Sequence, residues 1–220
     1  MSPPLRLVLS GSALALALAG AMTPAAADVV SLHFDVHGGG AAGKGIGGDQ
    51  KDAAFHDGAT GGTYGAEVGV EILFIDAWIA HDQFIGTDGS LRTWTEFMTG
   101  LDLDLALGDG PLLDEKTGKR GPATTYLDLG LGLGFGVGTG QQVDPPLDYA
   151  QVTDKGFLFR VHAGIGRRIN RVMSIGLVLP VEAGYLFKSG ADAVANDLGT
   201  HYQSVQAALL LNLRLQFALK

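Results

Sequence analysis

Residues able to do chemistry are few in this sequence, and the densest group lies near its start. His33, Asp35 and His37 fall on one face of any extended segment there, because alternate side chains of a strand point the same way. Imidazoles at this spacing can hold zinc or copper when a neighbouring strand adds ligands. Nothing in the sequence supplies those further ligands, so the expectation is a polar lining, with no metal and no cofactor assigned. Gly38-x-x-x-x-Gly43-Lys44 imitates a phosphate-binding loop, but that motif requires Ser or Thr next, and Gly45 stands there. A flexible glycine-rich loop is the expectation for this stretch. The glycines from Gly130 to Gly138 recur at every second position, which is not the spacing of a dinucleotide-binding turn. Lys116, Lys119 and Arg120 make a small basic cluster that reads as a solvated turn.

Composition narrows what these residues can serve. The 220 residues include 34 glycines and no cysteine, which excludes a disulfide framework and a cysteine–zinc site. Apolar residues reach 46% and charged ones only 17%, which excludes a disordered chain. A net charge of −8 lacks the basic excess of a nucleic-acid binder, so no nucleic-acid partner is expected. Arg6, the apolar stretch Leu7 to Gly20 and the small residues Ala25-Ala26-Ala27 have the order of a secretory signal peptide. Residues 1–27 are therefore expected to be a leader cut near Ala27, with residues 28–220 forming one domain.

The elements that must position the polar residues are strands. No apolar run after Ala27 approaches the ~20 residues of a membrane helix. Strict alternation appears instead. Val205, Ala207, Leu209, Leu211, Leu213, Leu215 and Phe217 share one face, opposite Ser204, Gln206, Asn212, Arg214 and Gln216. Leu127, Leu129, Leu131, Leu133, Phe135 and Val137 repeat the pattern. Eight strands are predicted near 29–37, 63–74, 77–85, 91–107, 123–138, 157–167, 173–188 and 203–219, the third with poor alternation. Long connections at 38–62, 139–156 and 189–202 are interleaved with short turns at 75–77 and 168–172. The connection 108–122 is longer than that scheme expects.

Which face is apolar decides the class. The apolar faces are almost purely Leu, Val, Ile, Phe and Ala. The polar faces carry His33, Asp35 and His37; Glu67 and Glu71; Arg92, Glu96, Asp102 and Asp104; Asp128; Arg160 and His162; Glu182 and Lys188; and Arg214. Water tolerates charge anywhere on a soluble surface. Lipid does not, since Arg or Lys facing the bilayer midplane costs about 2–4 kcal/mol. A clean apolar face therefore points outward into lipid, and the charges point into a lumen. Parity places Arg92, Arg160 and Arg214 at mid-height among Glu67, Glu71, Glu96, Asp102, Asp104, Asp128 and Glu182, as a network of buried charges. Trp78, Trp94, Tyr126 and Tyr185 are candidates for an interfacial girdle, although parity turns Trp94 and Tyr126 inward.

With its leader, eight amphipathic strands, no cysteine and an alternating final strand ending near Phe217, the chain resembles the small outer-membrane β-barrels of Gram-negative bacteria. The resemblance implies an all-β fold: a single eight-stranded antiparallel up-and-down transmembrane barrel in the cell outer membrane. It implies outer-membrane lipid and lipopolysaccharide as partners, small solutes as the candidate cargo, and a monomer. A structural or narrow-pore role with a filled lumen is the leading expectation. Some barrels of this size are lipid enzymes, which makes a lipid-modifying enzyme the alternative, and a secreted lipocalin-like binder the third. His201 with Ser204, and His81 with Asp82, are the residues such an enzyme would draw on. His201 and Ser204 are three apart and so lie on opposite faces, and no catalytic residue is assigned.

Overall fold

Extended chain accounts for nearly all of the structure. The computed structural model describes residues 30–48, 59–87, 89, 91–107, 113–114, 119–120, 125–142, 150–170, 172–189 and 201–219. The leader, its cleavage point near Ala27 and Lys116 lie outside the described residues. The strands are β1 (Val30–Gly48), β2 (Ala59–Ile72), β3 (Ile75–Gly86), β4 (Leu91–Leu107), β5 (Leu113–Asp114), β6 (Lys119–Arg120), β7 (Thr125–Gln142), β8 (Ala150–Arg168), β9 (Met173–Ser189) and β10 (His201–Leu219). Eight of them close into an antiparallel barrel in the order β1-β10-β9-β8-β7-β4-β3-β2. Closure is made by β1 against β10, in register from Val30↔Leu219 to Gly48↔Tyr202 with one irregularity between Gly45 and Gly47. A closed sheet has no unpaired edge, so every strand finds hydrogen-bond partners on both sides.

Alternation along each strand divides the residues between two surfaces. Leu131, Leu133, Phe135 and Val137 on β7 are exposed on the outer wall, as are Phe157, Phe159 and Val161 on β8 and Leu209 and Leu211 on β10. The inner surface is where burial occurs. It is not uniformly polar: Trp78, Ala80, Trp94, Met98, Leu158 and Leu186 form an apolar cluster along one side of the lumen. The glycines of β7 make room for it. A methyl group at Gly132 would meet Trp78, one at Gly134 would meet Met98, and one at Gly136 or Gly138 would meet Trp94.

The predicted elements change in three places. Gly38–Gly43 is not a loop but the continuation of β1, paired to β2 from Gly38↔Tyr64 to Gly43↔Ala59 and to β10 from Gly38↔Leu211 to Gly43↔Gln206. Glycine makes a poor isolated strand, but two paired neighbours hold it extended. β8 likewise begins at Ala150, inside the stretch expected to be a loop. The poorly alternating third strand runs from Ile75 to Gly86, and the turn before it is Leu73–Phe74. Its alternation is blurred because Trp78 and Phe84 point into the lumen while His81 and Gln83 point out. Trp78 is accordingly no girdle residue, being 6% exposed, whereas Tyr185 stands outside at 40%.

The long connection after β4 contains the two-stranded ribbon of β5 and β6, which carries Lys119 and Arg120. On β9 the ladder to β10 skips Leu179 and Pro180, resuming at Val178↔Leu210. Proline has no N–H to give to the ladder.

The fit of β7 to the tryptophans has a direct test. Gly136→Val drives a branched side chain into Trp94 and Leu158. Overpacking of this kind costs about 1–3 kcal/mol. The expected result is a lower urea midpoint in micelles, recovered in part by adding Trp94→Ala.

Candidate functional site

Carboxylates line the inside of the barrel. Eleven of them, from Asp35, Glu67, Glu71, Asp76, Asp82, Glu96, Asp102, Asp104, Asp128, Asp154 and Glu182, share the lumen with four guanidiniums, Arg92, Arg160, Arg168 and Arg214. His33, His37 and His162 join them, while the described cations Lys44, Lys155 and Arg167 point outward. Buried charge must be paired, and the register of the barrel decides the pairs.

Arg214 on β10 is the centre of the largest group. Its Nε donates to both oxygens of Asp35 on the neighbouring β1, at 3.0 and 3.2 Å. Its Nη1 reaches across the lumen to Asp102 Oδ2 on β4 at 3.0 Å. Asp35 also accepts from Asn212 and sits 2.8 Å from His33 Nδ1. The other ring nitrogen of His33 is 3.0 Å from Asp76. An imidazole can bond a carboxylate at each nitrogen only when both nitrogens carry protons, so His33 acts here as a second cation. On the far side of Arg214, His162 Nε2 lies 3.1 Å from Asp128 and 3.7 Å from Asp102.

Arg160 on β8 organises a second group nearer the loop end. It bonds Glu182 on β9 at 3.0 and 3.3 Å and pairs with the fully buried Glu96. Glu182 also accepts from Gln206 at 2.6 Å. His37 pairs with Asp82 close by. Smaller pairs occupy the ends. Arg168 holds Asp104 at 3.1 Å near the turns, and Arg92 lies 3.8 Å from Asp154 with its guanidinium over the Trp94 ring. Glu71 accepts from Ser31 and Gln216.

The ten residues placed in a lumen network by parity all face the lumen, but they do not form one group. Arg214 takes Asp102, Arg160 takes Glu96 and Glu182, and Asp128 meets His162. Glu67 stands 3.9 Å from His33, with no arginine in an ion pair with it among the described residues. Arg92 is the second residue of β4, so it stands at the loop end rather than at mid-height. The sequence reading missed Asp76, Asp82, Asp154 and Arg168, which it placed in turns, loops or an irregular strand. Extending the even parity of Arg160 and His162 along β8 in both directions reaches Asp154 and Arg168. His33 and His37 do not converge on one point, since they bond Asp76 and Asp82 respectively. His201 and Ser204 stay apart: His201 is exposed beside the Tyr185 ring at 5.8 Å, while Ser204 lies on the inner face.

Between the two arginine groups remains a cavity of about 140 Å³, lined among others by Asp35, Glu67, Trp78, Arg160 and Pro180. That is room for a few waters, not for a channel.

No family model matches the sequence, and no curated protein does. Among solved structures, Neisserial surface protein A is similar at a TM-score of 0.51 and 11% identity, over 86% of this chain and 97% of that one. The fold is the small up-and-down β-barrel. The N-terminal β-barrel domain of Pseudomonas aeruginosa OprF (TM-score 0.36, 9% identity, 82% and 96% covered) and the outer membrane protein OprG of the same organism (0.37, 11%, 85% and 96%) align over similar lengths but less well.

Arg214 bridges Asp35 and Asp102, which pair with no other arginine among the described residues. Removing one member of a buried pair costs about 3–5 kcal/mol. Arg214→Met is expected to lower the urea midpoint of the micelle-bound barrel by that order. Adding Asp102→Asn restores part of the loss. An unchanged midpoint in the single variant means that Arg214 is not in a desolvated network.

Proposed function

We propose that the protein resides in the outer membrane of a Gram-negative bacterium as a monomeric barrel with a plugged lumen, serving a structural role and conducting poorly. The outer wall carries the first half of this reading. On β8 the outward residues Lys155 and Arg167 bracket an uninterrupted run of Phe157, Phe159, Val161, Ala163 and Ile165. At about 3.3 Å per residue and a strand tilt near 40°, those two charges stand about 30 Å apart along the barrel axis. The apolar band of outer-membrane barrels is about 25 Å tall. A soluble protein seldom exposes an apolar patch beyond a few hundred Å². Lipid is the solvent that suits such a wall, with lipopolysaccharide as its partner in the outer leaflet. Tyr185 and Phe187, packed edge to face at 5.2 Å near the loop end, suit the interface between acyl chains and headgroups.

The lumen carries the second half. Arg160 with Glu96 and Glu182, and Arg214 with Asp35 and Asp102, span the interior at two levels, and the tryptophan cluster fills one side of the lumen. An eight-stranded barrel is only wide enough for its own side chains, and here they occupy it. The carboxylate surplus gives whatever passes a preference for cations.

Two measurements test these halves separately. Leu211→Arg places a charge on the outer wall, where Leu211 is 54% exposed. It should cost about 2–4 kcal/mol and reduce the membrane-fraction, heat-modifiable form, while Leu211→Ala should not. Recovery of the arginine variant at the wild-type level would place that wall in water. For the lumen, purified protein in planar bilayers should give small or no conductance, cation over anion. Large, stable, anion-passing channels from monomer are incompatible with a plugged lumen.

A further inference from the structure

We infer that the lumen holds a zinc-binding site formed by Asp102 of β4, Asp128 of β7 and His162 of β8. His162 Nε2 is 3.1 Å from Asp128 Oδ1 and 3.7 Å from Asp102 Oδ1, and the three ligand atoms all lie within 4.8 Å of one another. Zinc bound tetrahedrally at about 2.0–2.1 Å sets its ligands about 3.3 Å apart, and the two imidazole–carboxylate spacings fall on either side of that value. Little movement is needed to close the three groups on a metal.

Three further features point to a ligand rather than to a satisfied polar cluster. The first is a loosely held oxygen. Asp102 is 8% exposed, and its Oδ1 makes no short hydrogen bond among the described residues, its charged neighbour being His162 Nε2 at 3.7 Å. A buried carboxylate oxygen held this loosely is costly, and it lies within 4.8 Å of the other two ligand atoms, where a metal could draw all three together. The second is the support of the other oxygen. Asp102 Oδ2 is fixed by Arg214 Nη1 at 3.0 Å, the kind of outer partner that holds a metal-ligating carboxylate in place. The third is Gly130. It sits between the ligands in the sheet, paired with Asp102 on one side and His162 on the other. A methyl group there would collide with the His162 ring. Glycine lets the imidazole lie across β7 toward both carboxylates.

The other histidine–carboxylate group, His33, Asp35 and Glu67, is closed by comparison. Both nitrogens of His33 are bonded to carboxylates, and both oxygens of Asp35 are bonded to Arg214. A metal would have to displace those bonds.

The ligand chemistry selects the ion. One imidazole and two carboxylates suit zinc or a similar transition metal, whereas calcium and magnesium take oxygen ligands and more of them. Two carboxylates and a neutral imidazole balance a divalent charge. Asp102, Asp128 and His162 all line the lumen cavity, so the fourth position is open to water or to an incoming ligand. The site depends on the lumen alone and stands whether or not the outer wall meets lipid.

The experiment uses the untagged barrel folded in micelles and titrated calorimetrically with zinc chloride. One zinc per chain is expected, with excess calcium or magnesium unable to displace it. Asp102→Asn and His162→Gln should each weaken binding more than about 100-fold. Gly130→Ala, which keeps every ligand, should weaken it by about 10–100-fold. His33→Gln should bind as the wild type does. The heat-modifiable band certifies that each variant is folded. As a readout without mutation, cobalt bound to the wild-type barrel should show the intense visible absorption of a four-coordinate centre. Absence of zinc binding by the wild type, wild-type affinity in folded Asp102→Asn, loss of binding in folded His33→Gln alone, or a six-coordinate cobalt spectrum would each overturn the site.

Discussion

Closing a sheet of eight strands leaves an interior no wider than the side chains that fill it. This constraint governs the rest of the molecule. Polar groups sent inward have little water to share, so they must satisfy one another. The outer wall, relieved of charge, can be apolar throughout its middle. The inward residues do the work that a hydrophobic core does in a soluble protein, but with two kinds of contact. Tryptophans, Met98, Leu158 and Leu186 pack against the glycines of β7 along one side. Guanidiniums and imidazoles bind carboxylates elsewhere.

The two kinds of packing place opposite demands on the chain. The apolar cluster needs volume, which alternate glycines concede. The charged groups need number and direction. A guanidinium can serve two carboxylates at once, and both Arg160 and Arg214 do so. With more carboxylates than arginines, imidazoles take up part of the remainder. His33 completes an alternating row, Asp76–His33–Asp35–Arg214–Asp102, that crosses the lumen from β3 to β4 through β1 and β10. A row of this kind ties strands that are not hydrogen-bonded neighbours, which the ladder alone cannot do. Losing a member leaves an uncompensated charge in a space with little solvent to receive it.

Much of this was legible in the residues. Period-two alternation announced strands, and the absence of charge from one face announced which face lies outside. What misled was local composition. The glycines after His37 read as a loop, because glycine favours disorder in isolation, yet pairing on both sides keeps them extended as far as Gly48. Asp154 and Arg168 were hidden for a similar reason: each lies just beyond the clearly alternating part of β8. Tryptophan is common at membrane interfaces, which makes Trp78 a girdle candidate on residue type alone. The vacancy above Gly132 makes the lumen its place instead.

The sequence by itself determined the strands, their faces and the sign of the lumen charge. Those properties follow from side-chain type and parity, and both are local. Only the tertiary structure decided who meets whom. Asp35 and Arg214 are 179 residues apart and become neighbours because β1 closes on β10 in one register. His162 reaches Asp102 across a third strand because that strand has a glycine at the crossing point. Register and closure are properties of the whole sheet: a shift of two residues would keep every side chain on its face and change every partner.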